Sequence, residues 1–275
     1  MTTISKELKE LEEIPSIPRP TLYAMIKGAN RRDQELMASF TVMANRCSEG
    51  LAVKPSDVHK EVSIDILKLE INELAARLGR TRTEVDVGAS LGRDVGAAKK
   101  ELGVLYDEYL RMTDLEEAFH KGDTMLETVD KIIKLYPQTL VYVVTIQTLK
   151  RKKQVSRPVP IPVIDPLAPL FVSALSNNMG ETFFELTRQR VWQLFKKAGI
   201  YAFYKDQGYP VPKNPLRHLR LTEVSNFFNR TQLYRYAGWK LKGTQDKYIH
   251  NKWDDFVEPL IKVARRAPPL GFDRV

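Results

Sequence analysis

Between Asn214 and His250 the chain gathers side chains suited to meeting an anion. Arg217 and His218 stand in a Leu-Arg-His run, and Trp239 follows Arg217 by twenty-two residues in a Gly-Trp turn. The basic turn Lys240-Leu241-Lys242-Gly243 comes next, then Tyr248, nine residues beyond the tryptophan. Guanidinium and ammonium groups hold phosphate through charge-assisted hydrogen bonds, and arginine offers parallel donors where lysine offers a point charge. The same stretch also reads as two helices, the first with Leu219, Val224 and Phe228 on its apolar side and the second with Leu233 and Tyr236. It therefore fits either a phosphate-binding surface or an ordinary solvated helical face.

The elements that must position these residues lie upstream. Leu36, Phe40, Met43 and Ala44 fall on one face of a helix expected from Arg31 to about Asn45, and Arg46 follows it directly. A short helical turn holds Glu49, and Lys54-Pro55-Ser56-Asp57 makes a proline-bounded corner. Residues 139–147 are β-branched and apolar, which predicts a strand. Lys150, Arg151, Lys152 and Lys153 precede Val155 to Pro162, whose prolines confine a second strand to a sheet edge, giving a basic hairpin. Helices are expected over 166–177 and Glu185–Ala198, the latter stopped by Gly199, with a loop from Tyr201 to Pro215. Trp253 to Ile261 forms a short amphipathic segment, and a tail that contains Pro268-Pro269 is expected over 263–275. The prolines between Ile14 and Pro20 make residues 1–30 a flap or linker.

Residues 61–136 have a different character. Ile64, Leu67, Ile71, Leu74 and Leu78 recur at alternating spacings of three and four, as do Leu91, Val95, Ala98, Leu102, Leu105, Tyr109 and Met112. The intervening stretch from Gly79 to Ser90 predicts a break, so the pattern reads as a hairpin of two helices with a third over 124–135. This segment holds 16 acidic and 11 basic residues, a net of −5 within a chain of +9, which leaves +14 on the remainder. Phosphate contacts are expected from the flanking parts and not from the helical segment.

One cysteine, Cys47, excludes an intrachain disulfide framework and suits a reducing compartment. No apolar run approaches the roughly eighteen residues of a spanning helix, so a soluble, intracellular (cytoplasmic) protein without membrane contact is expected. No glycine pattern matches a phosphate loop, and no His, Cys and carboxylate cluster has metal-ligand spacing.

In order, these motifs resemble the catalytic domain of the tyrosine recombinase (integrase) family. Asn45-Arg46-Cys47-Ser48-Glu49 keeps the arginine, serine and glutamate of the family's Gly-x-Arg-x-Ser-Glu turn. Lys152 with Arg157-Pro158-Val159-Pro160 is similar to its hairpin lysine and Arg-x-Val-Pro. Thr187 to Gly199 is similar to the helix before the second motif, Asn214-Pro215-Leu216-Arg217-His218 resembles His-x-x-Arg-His, and Ala237-Gly238-Trp239 resembles Leu-Gly-His/Trp. Asn214 stands where the family has histidine, and 106 residues separate Arg46 from Lys152 where the family has a few dozen.

The resemblance implies an α+β, mainly helical fold: a recombinase catalytic domain over 31–60 and 137–262, with a small antiparallel sheet, a basic β-hairpin and a helical insertion at 61–136. It implies site-specific DNA cleavage and rejoining through a 3′-phosphotyrosyl intermediate, in the service of a mobile element, plasmid or virus. Arg46 and Arg217 would hold the phosphate, Tyr248 would attack, Lys152 would protonate the 5′ oxygen and Trp239 would donate its indole N–H. Asn214, His218 and Glu49 would be auxiliary. Lys150, Arg151, Lys153, Arg157, Arg188, Arg190, Arg220, Lys240 and Lys242 would contact duplex DNA. No cofactor or metal is implied. Relatives assemble as tetramers on paired sites, exchanging a segment near the nucleophile, and Trp253 to Ile261 is the expected exchanged piece. Two other readings fit the same residues: a DNA-binding protein that keeps the fold without catalysis, and an adaptor whose protein partner binds 61–136.

Overall fold

A computed structural model describes residues 9, 11–121, 125–147, 156–178, 180–239 and 252–271, the side chains of 125 and 126 excepted. The fold is mainly helical with one small antiparallel sheet. The chain divides into two compact units, the first comprising Met1–Glu61 with Val141–Val275 and the second Val62–Leu140.

In the first unit, α1 (Arg19–Lys27) follows Pro18 and carries Pro20 in its first turn, where a missing N–H is harmless. Ile14, Ile17, Leu22, Tyr23 and Ile26 are buried. The expected flap is thus corrected over Ile14–Ile26: apolar residues on both sides of the prolines anchor it to the core. In α2 (Arg31–Val42) the Asn30 side chain caps the Asp33 N–H at 3.0 Å. The helix ends three residues before the expected Asn45, because Ala44 turns into the left-handed region with φ of 46°. A side chain with a Cβ is disfavoured there. The single turn α3 (Cys47–Gly50) follows, then β1 (Val58–Val62).

Strands β2 (Leu140–Gln147) and β3 (Ser156–Pro162) pair antiparallel with Val144 opposite Val159, and the sheet order is β1-β2-β3. Prolines 158, 160 and 162 alternate along β3, so their missing donors all fall on its unpaired outer edge. Next come α7 (Ala168–Ser176), α8 (Arg188–Lys197) and α9 (Ile200–Asp206). The last of these lies where a loop is expected: Gly199, at φ of 85°, ends one helix and begins another that buries Ile200 and Tyr204 one turn apart. The unit closes with α10 (Pro215–Ser225), α11 (Arg230–Tyr236) and α12 (Val257–Arg266). Helix α12 packs against β3 and α10 of its own chain, and Phe256 sits against Phe228 and Tyr236 with ring centroids 5.7 Å from each.

The second unit is a helical hairpin of α4 (Ile64–Ser90) and α5 (Gly96–Lys121), with α6 (Met125–Leu135) packed on it. Ser63 caps the Ile66 N–H. The break expected at Gly79 is absent: Thr81, Val85 and Gly88 are buried and continue the stripe of Leu67, Ile71 and Leu74 at the same spacing. The chain turns instead at 91–95, where Gly92 has φ of 67°. Leu67, Ile71, Leu105, Met112, Ile132 and Tyr136 form the core of this unit.

Candidate functional site

The site is built on the left-handed corner after α2. At Ala44 the chain reverses so that its carbonyl meets two guanidiniums: Arg217 Nη1 donates to it at 2.7 Å and Arg157 Nη2 at 3.1 Å. Two residues on, Arg46 occupies the cap position of α3, where the Glu49 carboxylate accepts its backbone N–H at 3.0 Å and its Nη1 at 2.7 Å. Arg157 Nη2 lies 4.0 Å from the same carboxylate.

The second wall is the turn after α11. Arg217 Nη2 donates to the Ala237 carbonyl at 2.7 Å, and Arg157 Nη1 donates to the Tyr236 carbonyl. Gly238, at φ of 67°, permits the turn, and the Trp239 N–H closes it onto the Tyr234 carbonyl at 2.7 Å. Trp239 is buried, with its ring edge-on to Tyr234 at 5.4 Å. Arg46, Glu49, Arg217 and the Ala237-Gly238-Trp239 turn, scattered over nearly 200 residues of sequence, are therefore brought to one place.

Electrostatics follow from this crowding. Burial alone would raise the Glu49 carboxyl, but the guanidiniums of Arg157, Arg46 and Arg217 hold it below its ordinary value. Arg157 is lowered as well, but at the expense of its charged form: burial and the neighbouring Arg217 cation bring it to about 10, against the pull of Glu49. Among the described residues, three guanidiniums face this carboxylate, and Arg157 and Arg217 also donate to peptide carbonyls. A carbonyl dipole fixes the plane of a guanidinium without cancelling its charge.

Beside Arg217 opens a small, solvent-connected recess. Phe40, Cys47, Trp192, Tyr201, Lys213 and Asn214 are among its lining residues. Asn214 precedes α10, and its Oδ1 accepts the Cys47 N–H at 3.2 Å, joining the arginine turn to the helix that carries Arg217. Burial raises the Cys47 thiol, with Arg188 opposing that shift.

Three expected roles are corrected. Arg157 and Arg220, expected to contact DNA, are buried. Arg157 belongs to the cluster itself. Arg220 Nη2 pairs with Asp165 at 3.0 Å in a separate network with Arg19 and Glu223, because α10 carries leucines on either side of it and must bury that face. His218 points away from the cluster: its Nε2 bonds the Ile14 carbonyl at 3.0 Å, and burial lowers its pKa. Arg188 and Arg190 are exposed at the start of α8. Lys150, Arg151, Lys152, Lys153, Lys240, Lys242 and Tyr248 lie outside the described residues. The reading of sequence missed the place of Arg157 in the cluster and the Arg19–Asp165–Arg220–Glu223 network. A signal for the second was present: Leu216, Leu219 and Leu221 interleave with Arg217 and Arg220 on one short helix, so both arginines must be buried and paired.

Among the described residues, no helix is long and apolar enough to cross a membrane and no group of His, Cys, Asp and Glu could hold a metal ion. No family model, no curated protein and no solved structure matches the chain.

Proposed function

We propose that this protein cleaves and rejoins DNA through a phosphotyrosyl intermediate, with Arg46 and Arg217 holding the scissile phosphate and Tyr248 as nucleophile. The observation that carries the reading is the convergence of Arg46, Arg217 and the Trp239 turn on the Ala44 corner. In-line attack on a phosphodiester builds negative charge on the non-bridging oxygens, and donors already fixed in place stabilise it most. Glu49 and the carbonyls of Ala44 and Ala237 fix the arginines before any substrate arrives. As the Tyr248 oxygen bonds to phosphorus, the phenol gives up its proton to solvent water and the bond to the 5′ oxygen breaks. Lys152 supplies the proton that oxygen needs. The phosphotyrosine keeps the bond energy for rejoining to a second 5′ hydroxyl. Assembly of several copies on paired DNA sites belongs to the same proposal.

The test is a nicked suicide substrate followed by denaturing electrophoresis. A covalent protein–DNA adduct is expected from the full chain and none from Tyr248→Phe; an adduct that survives the substitution removes Tyr248 as nucleophile. A second reading, DNA binding without catalysis, draws on the bond from Asn214 to the Cys47 N–H, which gives that position a structural task where the family has histidine. Binding with no adduct on any nicked substrate is its signature.

A further inference from the structure

The net charge of −5 over 61–136 hides a division along the hairpin. Residues 77–100, its distal end, carry six basic and three acidic residues, while the rest of the segment carries five basic and thirteen acidic. Arg77, Arg80, Arg82, Arg93, Lys99 and Lys100 are all exposed. Among the described residues, Arg77 alone of these has a carboxylate partner, Glu101 at 3.7 Å. The end is firmly built: a Cβ on Gly88 would come within 2.6 Å of Val95 Cγ1, so the turn closes tightly over that glycine.

None of these cations serves the core. Lys99 and Lys100 lie near the start of α5, whose first turn has no acidic residue, and the helix dipole disfavours positive charge there. Like charges on one surface repel one another, and an external anion would offset that repulsion. The arrangement also narrows the class of partner. Arg80 and Arg82 point to opposite flanks of α4, two residues being about 200° of helical turn. The charge thus lies on more than one flank of the hairpin end, where Val87 and Leu91 are also exposed, whereas an amphipathic helix lying on a membrane gathers its charge opposite a single apolar face. A duplex offers rows of phosphates to such a surface.

We infer that the distal end of the α4–α5 hairpin is a second contact surface for the sugar–phosphate backbone of duplex DNA. The choice of DNA as the anion rests on the proposed function; the inference does not require strand cleavage. It also revises the expectation that the insertion keeps away from phosphate, which followed from charge averaged over the segment.

The test uses the full chain and a fluorescently labelled duplex of about thirty base pairs, with affinity followed against salt. Replacing Arg80, Arg82, Arg93, Lys99 and Lys100 by glutamine is expected to weaken binding roughly 10- to 100-fold near 0.1 M salt and to lower the slope of log K against log salt by about 3 to 4. The adduct rate at saturating protein should not change. The two pairs, Arg80→Gln with Arg82→Gln and Lys99→Gln with Lys100→Gln, should each give part of the slope loss, which keeps the test decisive if the fivefold variant folds poorly. An unaltered slope overturns the inference, as does a variant that loses only self-association by light scattering or only binding to anionic phosphatidylserine vesicles. A lowered slope in a protein that forms no adduct removes cleavage and leaves this surface standing. An adduct with an unaltered slope does the reverse, and no DNA affinity in the unsubstituted chain removes both.

Discussion

Two arginine clusters lie in the first unit, and they differ in how their charge is met. In one, Arg19 and Arg220 face Asp165 and Glu223, two cations against two carboxylates. In the other, Arg46, Arg157 and Arg217 surround Glu49, and Arg157 and Arg217 also donate to the carbonyls of Met43, Ala44, Tyr236 and Ala237. Burial pushes Arg220 and Arg157 in the same direction, yet they end on opposite sides of the ordinary arginine value. Asp165, Tyr236 and Glu223 together outweigh burial and raise Arg220, whereas at Arg157 the Arg217 cation adds to burial. A balanced cluster is a lock. A cluster held in part by carbonyls has its guanidinium planes fixed by groups that carry no net charge.

The largest expected effect breaks the lock. Asp165→Asn leaves Arg19 and Arg220 buried without their shared partner and should cost about 3–5 kcal/mol in urea unfolding. Glu49→Gln should cost less, about 1–3 kcal/mol, because the carbonyl bonds to Arg157 and Arg217 remain. The variants should also respond differently to sulfate. Excluded from protein surfaces, sulfate stabilises any fold to some extent, so Asp165→Asn serves as the baseline. A larger rise in Tm for Glu49→Gln than for Asp165→Asn is expected as the anion takes the place of the carboxylate. Equal rises would mean that the two clusters do not differ in the way described.

Arg217→Lys sharpens the comparison at the site itself. It keeps the charge but cannot span Ala44 and Ala237, so the proposed phosphate pocket loses its alignment more than its field. About 10²–10³ in the rate of adduct formation is the expected loss, measured in single turnover with Arg220→Lys as a stability control. A lysine variant as fast as the parent would show that the two carbonyl bonds do not prepare the site.

Much of the site was legible because its residues come in short ordered groups. Arg46 with Glu49, Arg217 with His218, and Gly238 with Trp239 could each be picked out from local pattern. What joins them could not. Ala44 is a non-glycine residue in a left-handed turn, a conformation its identity does not announce, and its carbonyl is the point on which two arginines meet. Arg157 looked like part of a basic hairpin because it follows Lys150–Lys153, yet the edge strand turns its side chain into the interior. The long α4 shows the opposite lesson. Gly79 and its threonines suggested a break by composition, while Thr81, Val85 and Gly88 kept the buried stripe in phase, and packing prevailed over local propensity.

The smallest expected effect concerns His218, which sits on α10 between the arginines of the two clusters. A carbonyl can only accept, so Nε2 carries the proton in its bond to Ile14, and burial keeps the ring neutral by lowering its pKa. A group whose folded pKa lies below its ordinary 6.5 contributes stability above that pH, and the contribution is lost as pH falls further. Glu49 and Asp165 are both held below their ordinary carboxylate values, so their contributions persist until much lower pH. The interval from about pH 6.5 to 5 therefore isolates the histidine. Over it the protein should lose up to about 1 kcal/mol in urea unfolding, and His218→Gln should flatten that slope while keeping a donor for the Ile14 carbonyl. If the slope is the same in both proteins, the buried ring is not what ties the Ile14 segment to α10 in a pH-dependent way. A flattened slope with unchanged sulfate binding would separate the anchoring face of α10 from the face that presents Arg217.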